Sequence, residues 1–338
     1  MADILNVGII GAGRIGKVHA ATVAYRIPTA RILAIADVNG EAARQVAAQF
    51  GIPTAADDPA AVLENKDIDA VLVCSSTDTH AKFTVAAAKA GKHIFCEKPI
   101  AHDLHEIDAA LAAVAKAGVK LQIGFNRRFD ANFARVRQAI VNGEIGTPAL
   151  LHIISRDPAP PPVSYVKVSG GMFLDMTIHD FDMARFLVGA EVVEVYTQAA
   201  VTVDPAIGEA GDVDTAVIML KFANGVIGTI DNCRRASYGY DQRVEVLGSK
   251  GAIATANNYP NAATLSDAAS VRRDLPLNFF MDRYTESFAA EVTAFVDAVL
   301  NDKPTPVTGH DGRVPVVMGL AAGKSYREGR PVRLSEIG

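Results

Sequence analysis

Apolar residues along this chain follow two different rhythms. In the first third, short unbroken apolar runs at 4–10, 31–36, 70–73, 93–96 and 119–124 read as strands buried on both faces. Segments 17–25, 41–50, 60–65, 81–90 and 106–117 lie between them and read as helices. That alternation builds a parallel sheet with helices on both faces. After Gly124 the rhythm changes. A helix over 129–142 is followed by period-two segments at 147–156, 191–203, 213–222, 226–235, 242–248 and 251–256, joined by turns such as Ala223-Asn224-Gly225. Helices over 283–302 and 314–327 finish the chain, and 259–282 has little periodicity. The pattern predicts an α/β domain over 1–124 and an α+β domain over 125–338, the latter a large, mostly antiparallel open sheet with helices on one face.

One helical stretch, Gly170 to Asp182, stands out. Asp175, His179 and Asp182 would share one face of it. Leu174, Ile178 and Phe181 flank that stripe on one side, and Phe173, Met176 and Met183 on the other. A helix apolar on both flanks is buried. Buried carboxylates and imidazoles need partners or a task. Alone, the stripe reads equally as a satisfied core or as a site.

The first strand runs into Gly11-Ala12-Gly13-Arg14-Ile15-Gly16 and then a helix. The first glycine serves the turn, the second the approach of a pyrophosphate, the third close helix packing. A second strand ends in Asp37, placed to bond adenosine ribose hydroxyls. This is a Rossmann dinucleotide-binding unit. A carboxylate at Asp37 repels a 2′-phosphate, and Val38 and Asn39 supply no cation, so NAD is expected over NADP. The polar loop Ser75 to His80 leaves a strand's carboxyl end and is a further candidate to line the cofactor site, or an ordinary helix cap. Lys98, in Glu97-Lys98-Pro99, emerges at the same edge. Cys96 has no neighbouring base and reads as inert.

Composition narrows the classes. The 338 residues suit about two domains, and a net charge of -5 argues against a nucleic-acid footprint. Cys74, Cys96 and Cys233 are too scattered for a disulfide framework, and there is neither a signal-peptide pattern nor a run long enough to span a membrane. A soluble cytoplasmic protein is expected. A metal site at Asp175, His179 and Asp182, with His152, lacks a further clear ligand, and no metal is expected. His19, His80, His93, His102, His105 and His310 read as helix, loop or surface residues. The proline run at 158–162 reads as a stiff loop at a substrate mouth or as a strand-ending turn.

The glycine motif, the Glu97-Lys98-Pro99 tripeptide and the helix bearing Asp175 and His179 together resemble the Gfo/Idh/MocA oxidoreductases, along essentially the whole chain. Ser155 to Pro158, Gly170 to Asp182, Gly211 to Ala216 and Tyr238 to Arg243 look most like the inositol dehydrogenases of that family. The resemblance implies NAD held by Gly11, Gly13, Arg14, Ile15, Gly16, Asp37, Ser75, Thr77, His80, Glu97 and Lys98. It implies that Lys98 contacts substrate and nicotinamide and precedes a cis proline, that His179 is the base, and that Asp175 binds substrate and tunes both. Asn126, Arg127, Asp157 and Tyr240 fall on the substrate side. The implied reaction is NAD-dependent oxidation of a cyclic polyol, above all myo-inositol to its 2-keto product, by a homotetramer. Another inositol isomer, a glucose-like sugar, transient oxidation during glycoside cleavage, or NAD sensing without turnover are the alternatives. His chemistry suits the proton transfer, and an ammonium suits the developing alkoxide.

Overall fold

The computed structural model describes residues 4–338. By contacts the chain divides into two compact units: residues up to Phe129 with Glu286–Val316, and Asp130–Thr285 with Val317–Gly338. The carboxy-terminal helices are thus shared between units, which no single cut along the sequence can express.

In the first unit, β1 (Leu5–Ile10), α1 (Arg14–Arg26), β2 (Ala30–Ala36), α2 (Gly40–Phe50), β3 (Thr54–Ala56), α3 (Ala60–Leu63), β4 (Ala70–Val73), α4 (Thr77–Lys89), β5 (His93–Glu97), α5 (Leu104–Ala117) and β6 (Leu121–Gly124) follow in order. The strands pair in parallel in the order β3-β2-β1-β4-β5-β6. This is the doubly wound arrangement expected. The three-residue β3 has no apolar run and escapes the sequence pattern. Side chains cap the helices: Asn39 accepts from Ala42 N at 3.3 Å, and Asp103 accepts from His105 N at 2.8 Å. The core joins Leu5, Val7, Ile9, Ile35, Leu72 and Phe95 to Val292, Phe295 and Val296 from the distant end of the chain. Asn126–Phe129 forms a 3₁₀ turn after β6.

The second unit contains α6 (Ala131–Val141), β7 (Pro148–Arg156), α7 (Val163–Val166), α8 (Gly171–Asp175), α9 (Ile178–Val188), β8 (Val192–Ala200), α10 (Pro205–Glu209), β9 (Thr215–Phe222), β10 (Ile227–Cys233), β11 (Asp241–Gly248), β12 (Gly251–Ala254) and the hairpin β13 (Thr264–Ser266) and β14 (Val271–Arg273). Then α11 (Phe280–Leu300) and α12 (Gly309–Glu328) lead to β15 (Val332–Arg333). The seven-stranded sheet runs β12-β11-β7-β10-β9-β8-β15. Only β7 and β10 pair in parallel, and the other neighbours are antiparallel. The central strands β9 and β10 alternate along their length, as in a half-covered sheet. Leu151, Ile153, Ile218, Leu220, Ile230 and Val246 are buried on one face. Leu150, Val217, Met219, Ile227 and Leu247 are 43–51% exposed on the other. The aperiodic segment after Tyr259 is the exposed β13–β14 hairpin.

Candidate active site

The cofactor loop is shaped by what its glycines avoid. Gly11 has φ +109°, and a Cβ there would meet the Cys74 backbone at 2.4 Å. A Cβ on Gly16 would lie 2.0 Å from Gly11 O, so α1 can press on the loop only with glycine there. Gly13 precedes α1 without a side-chain cap, and a Cβ on it would meet nothing within 4 Å. The first N–H groups of α1 are therefore open to an anion. Arg14 is exposed and Ile15 half-buried beside them. Asp37, just past β2, accepts from Ala12 N at 2.6 Å and Asn39 N at 2.8 Å. Acid and glycine loop are thus joined as a dinucleotide requires, and the residues present fit NAD.

The other strands of this sheet end at the same edge because all are parallel. Ser75 follows β4, and its hydroxyl lies 2.6 Å from that of Thr79. The helix expected from 81 begins already at Thr77, so Thr77 and His80 sit in its first turn. His80 is buried; its Nε2 lies 3.0 Å from Ser75 O and its Nδ1 2.8 Å from Pro99 O. The ring ties the β4 loop to the turn after β5. There the Lys98–Pro99 bond is cis and Lys98 is half-buried. Glu97 turns into the core, where His19 Nε2 lies 2.7 Å from its Oε1. Asn126 and Arg127 are buried in the 3₁₀ turn after β6. Burial pushes the Cys96 thiol up to about 12 and raises Cys74 well above its ordinary value, so both are poor nucleophiles.

In the second unit the stretch after Gly170 departs from the single helix expected. The chain slips register at Met176–Thr177. Thr177 N donates back five residues to Met172 O at 2.9 Å, while His179 N and Asp180 N donate back three, to Met176 O and Thr177 O at 3.3 and 2.8 Å. Asp175 therefore ends α8 and His179 lies in the first turn of α9, on two helices rather than on one i, i+4 rung. Five of the six flanking residues are buried, with Leu174, Met176, Ile178, Phe181 and Met183 at most 8% exposed, while Phe173 is only half-buried. Asp182 is fully buried. His152 lies on the open face of β7, bonded to Thr229.

Asp175 has neighbours that the sequence did not single out. Tyr165 Oη, just past the proline run, donates to Asp175 Oδ1 at 2.9 Å. The guanidinium of Arg234, 1% exposed, lies 3.5 Å from Asp175 and 3.7 Å from Asp212. Asp212 in turn accepts from Met172 N at 3.0 Å, capping α8. Behind α9, Thr177 Oγ1 donates to Asn232 Oδ1 at 2.6 Å and Asn232 Nδ2 donates to Asp180 Oδ2 at 2.9 Å. These bonds pin the histidine-bearing turn to β10. Asp157 follows β7, its backbone N donating to Cys233 O at 2.9 Å. Tyr240 is buried, its ring edge-on to Tyr284 with centroids 6.0 Å apart.

Residues 5–125 match the model of an oxidoreductase family with an NAD-binding Rossmann fold, GFO_IDH_MocA, and residues 133–254 match the GFO/IDH/MocA C-terminal domain. The chain is 48% identical over 333 residues to a myo-inositol 2-dehydrogenase of Thermotoga maritima, covering 98% of this chain and 99% of the relative. It is 46% identical over 328 residues to an inositol 2-dehydrogenase of Rhizobium meliloti, covering 97% and 98%. A crystal structure of scyllo-inositol dehydrogenase from Lactobacillus casei, with bound NAD(H) and scyllo-inositol, superposes with TM-score 0.92 at 30% identity, covering 98% of this chain and 100% of that one.

Proposed function

This chain belongs to the Gfo/Idh/MocA oxidoreductases, and we propose that it oxidises a secondary hydroxyl of a cyclic polyol with NAD, converting myo-inositol to its 2-keto product, scyllo-inosose. The observation that carries this reading is one chain holding a complete glycine cradle with Asp37, Lys98 just past β5, and Asp175 and His179 half-buried in a hydrogen-bonded frame. Likeness along nearly the full length to inositol 2-dehydrogenases supports the substrate class.

When bound, NAD accepts the hydride from the carbinol carbon. The residues of the chain handle the proton and the charge. His179 takes the hydroxyl proton, a role that suits an imidazole. The Lys98 ammonium steadies the charge that grows on the oxygen. Asp175, held by Tyr165 and neighbouring Arg234, binds a substrate hydroxyl and orients the base. Asn126, Arg127, Asp157 and Tyr240 supply further polar contacts to the ring hydroxyls. Ser75 and Thr77 complete the cofactor side with Arg14 and Ile15, while His80 and Glu97, whose side chains bond inward to Pro99 O and His19, shape it from behind.

The enzyme acts as a cytoplasmic homotetramer. Among the described residues no helix is long and apolar enough to cross a membrane, and the three cysteines are free. The open sheet face with Leu150, Val217, Met219, Ile227 and Leu247 calls for a covering copy.

The test is NADH formation across myo-, scyllo- and chiro-inositol and glucose, with myo-inositol giving the highest kcat/KM. Lys98→Ala and His179→Ala should each lower kcat by about 10²-fold or more while NAD still binds. Activity within a few-fold of wild type in either variant removes that residue from its role. A higher kcat/KM for another ring reassigns the substrate.

A further inference from the structure

Three buried side chains of the first unit converge where the proposed reaction uses none of them directly. His19 of α1, Glu97 of β5 and Glu291 of α11 are 0%, 8% and 0% exposed. Each offers an imidazole nitrogen or carboxylate oxygen, and these atoms lie within 4.8 Å of one another. His19 Nε2 and Glu97 Oε1 are at 2.7 Å, while both Glu291 oxygens and His19 Nδ1 have no hydrogen-bond partner. The surroundings are largely apolar, with the Cys74 thiol, raised first by burial, close enough to be raised further by both glutamates. Phe95 and Phe288 stack edge-on to the imidazole at 5.1 and 6.0 Å, and Phe295 packs on Phe95 at 5.9 Å. Among the described residues no lysine or arginine pairs with either glutamate.

Two carboxylates this close in an apolar pocket without a cation cannot both stay ionised. Glu97 has the imidazole as donor, whereas Glu291 has none, so the proton belongs on Glu291. Burial, reinforced by the Glu97 charge, raises the Glu291 carboxyl well above its ordinary range. A metal ion is the competing reading. Two ligands of a tetrahedral ion with bonds of about 2.0 Å lie about 3.3 Å apart. The 2.7 Å contact of His19 with Glu97 is hydrogen-bond spacing instead.

We propose that His19, Glu97 and Glu291 form a buried proton-sharing cluster that positions Lys98, with Glu291 carrying the carboxyl proton and Glu97 the charge that accepts from His19. Glu97 precedes Lys98 in the chain, and its oxygens lie against Gly124 of β6, where a Cβ would sit 3.0 Å from Oε2. The carboxylate therefore has one seat, and the backbone that launches Lys98 is fixed by it. Gln122 Nε2 donates to Glu291 O at 2.7 Å, which anchors the third member to the same sheet. The positioning role rests on the assignment of Lys98 above.

The first test reads the proton. The infrared spectrum of the intact protein near neutral pH should contain the carbonyl stretch of a protonated carboxyl group that disappears in Glu291→Gln. An unchanged carboxylic-acid region in that variant overturns the proposal, as does one tightly bound transition-metal ion per chain by elemental analysis. The second test reads the position. His19→Leu should lower kcat for polyol oxidation by about 10- to 100-fold, the scale of a small misplacement, with NADH binding nearly unchanged. His19→Gln, which restores a donor to Glu97, should recover most of that loss. Equal activity of His19→Leu and wild type, or equal impairment of both variants, overturns it. Should Lys98→Ala retain activity while the infrared band persists, the fault lies with the Lys98 assignment and not with the cluster.

Discussion

At the scale of single residues, the proposed preference for NAD over NADP rests on Asp37. Both of its oxygens accept backbone N–H groups, from Ala12 and Asn39, which fixes an anion beside the glycine loop. Val38, 91% exposed, brings no compensating cation. A 2′-phosphate would face that charge at close range, and the penalty should exceed about 1.4 kcal/mol, or tenfold. Steady-state kinetics should give kcat/KM at least that much higher with NAD than with NADP; the reverse order would sink the assignment. The placement of Asp37 beside the glycine loop and of Lys98 just past β5 was legible in the sequence because it depends on local spacing. Tyr165, Arg234 and Glu291 were not. Each is far in sequence from what it touches, and nothing local marks a tyrosine after a proline run as the partner of Asp175. Tyr165→Phe tests that link. Losing one hydrogen bond to a charged group should cost about 1.5–3 kcal/mol, read as a fall in kcat/KM for the polyol of roughly tenfold or more. Unchanged kinetics would leave Tyr165 a surface contact.

At the scale of elements, apolar rhythm located the long strands and helices but neither the short β3, α7, α10 and β13–β15 nor how elements end. The 170–188 stretch carries no proline at its break, and both flanks are apolar, so a register slip at Met176–Thr177 leaves no trace in the pattern. The start of α12 shows the opposite case. The helix expected from 314 begins at Gly309, with Pro315 inside it. The signal lay earlier, in Thr308 and Asp311: Thr308 N and Oγ1 donate to Asp311 Oδ2 at 2.9 and 2.8 Å, and Thr308 Oγ1 accepts from Asp311 N at 3.3 Å. Arg128, from the 3₁₀ turn, donates to Asp311 Oδ1 at 2.9 Å. Burial alone would raise this carboxyl, but the Arg128 charge and the Thr308 bonds outweigh it and hold it at about 2. An unfolded aspartate titrates near about 3.9. The folded pKa is thus the lower one, so the contribution is complete above about pH 4 and is lost as pH falls through about 2. Its ceiling is about 2–3 kcal/mol. Urea denaturation of Asp311→Asn should show a shallower loss of stability over that window than wild type; parallel curves would contradict the pairing.

At the scale of the whole molecule, the open sheet face is the surface that the proposed assembly would cover. Its alternation leaves Leu150, Val217, Met219, Ile227 and Leu247 on a flat surface. Light scattering should report a tetramer at micromolar concentration, and Met219→Glu should give smaller species by placing charge at the centre of that face. A monomeric wild type would refute the assembly. The pairing of β7 with β10 has a consequence of a different kind. β7 is made early, yet its sheet partners are β10 and β11, about eighty residues later. The first unit likewise waits for Val292, Phe295 and Val296 to close its core. A ribosome must therefore release most of the chain before either unit can finish. Long-range closure of this sort slows folding and leaves apolar strands uncovered meanwhile. The nascent protein is in greatest need of a chaperone during the interval between the emergence of Ile153 and that of Phe295.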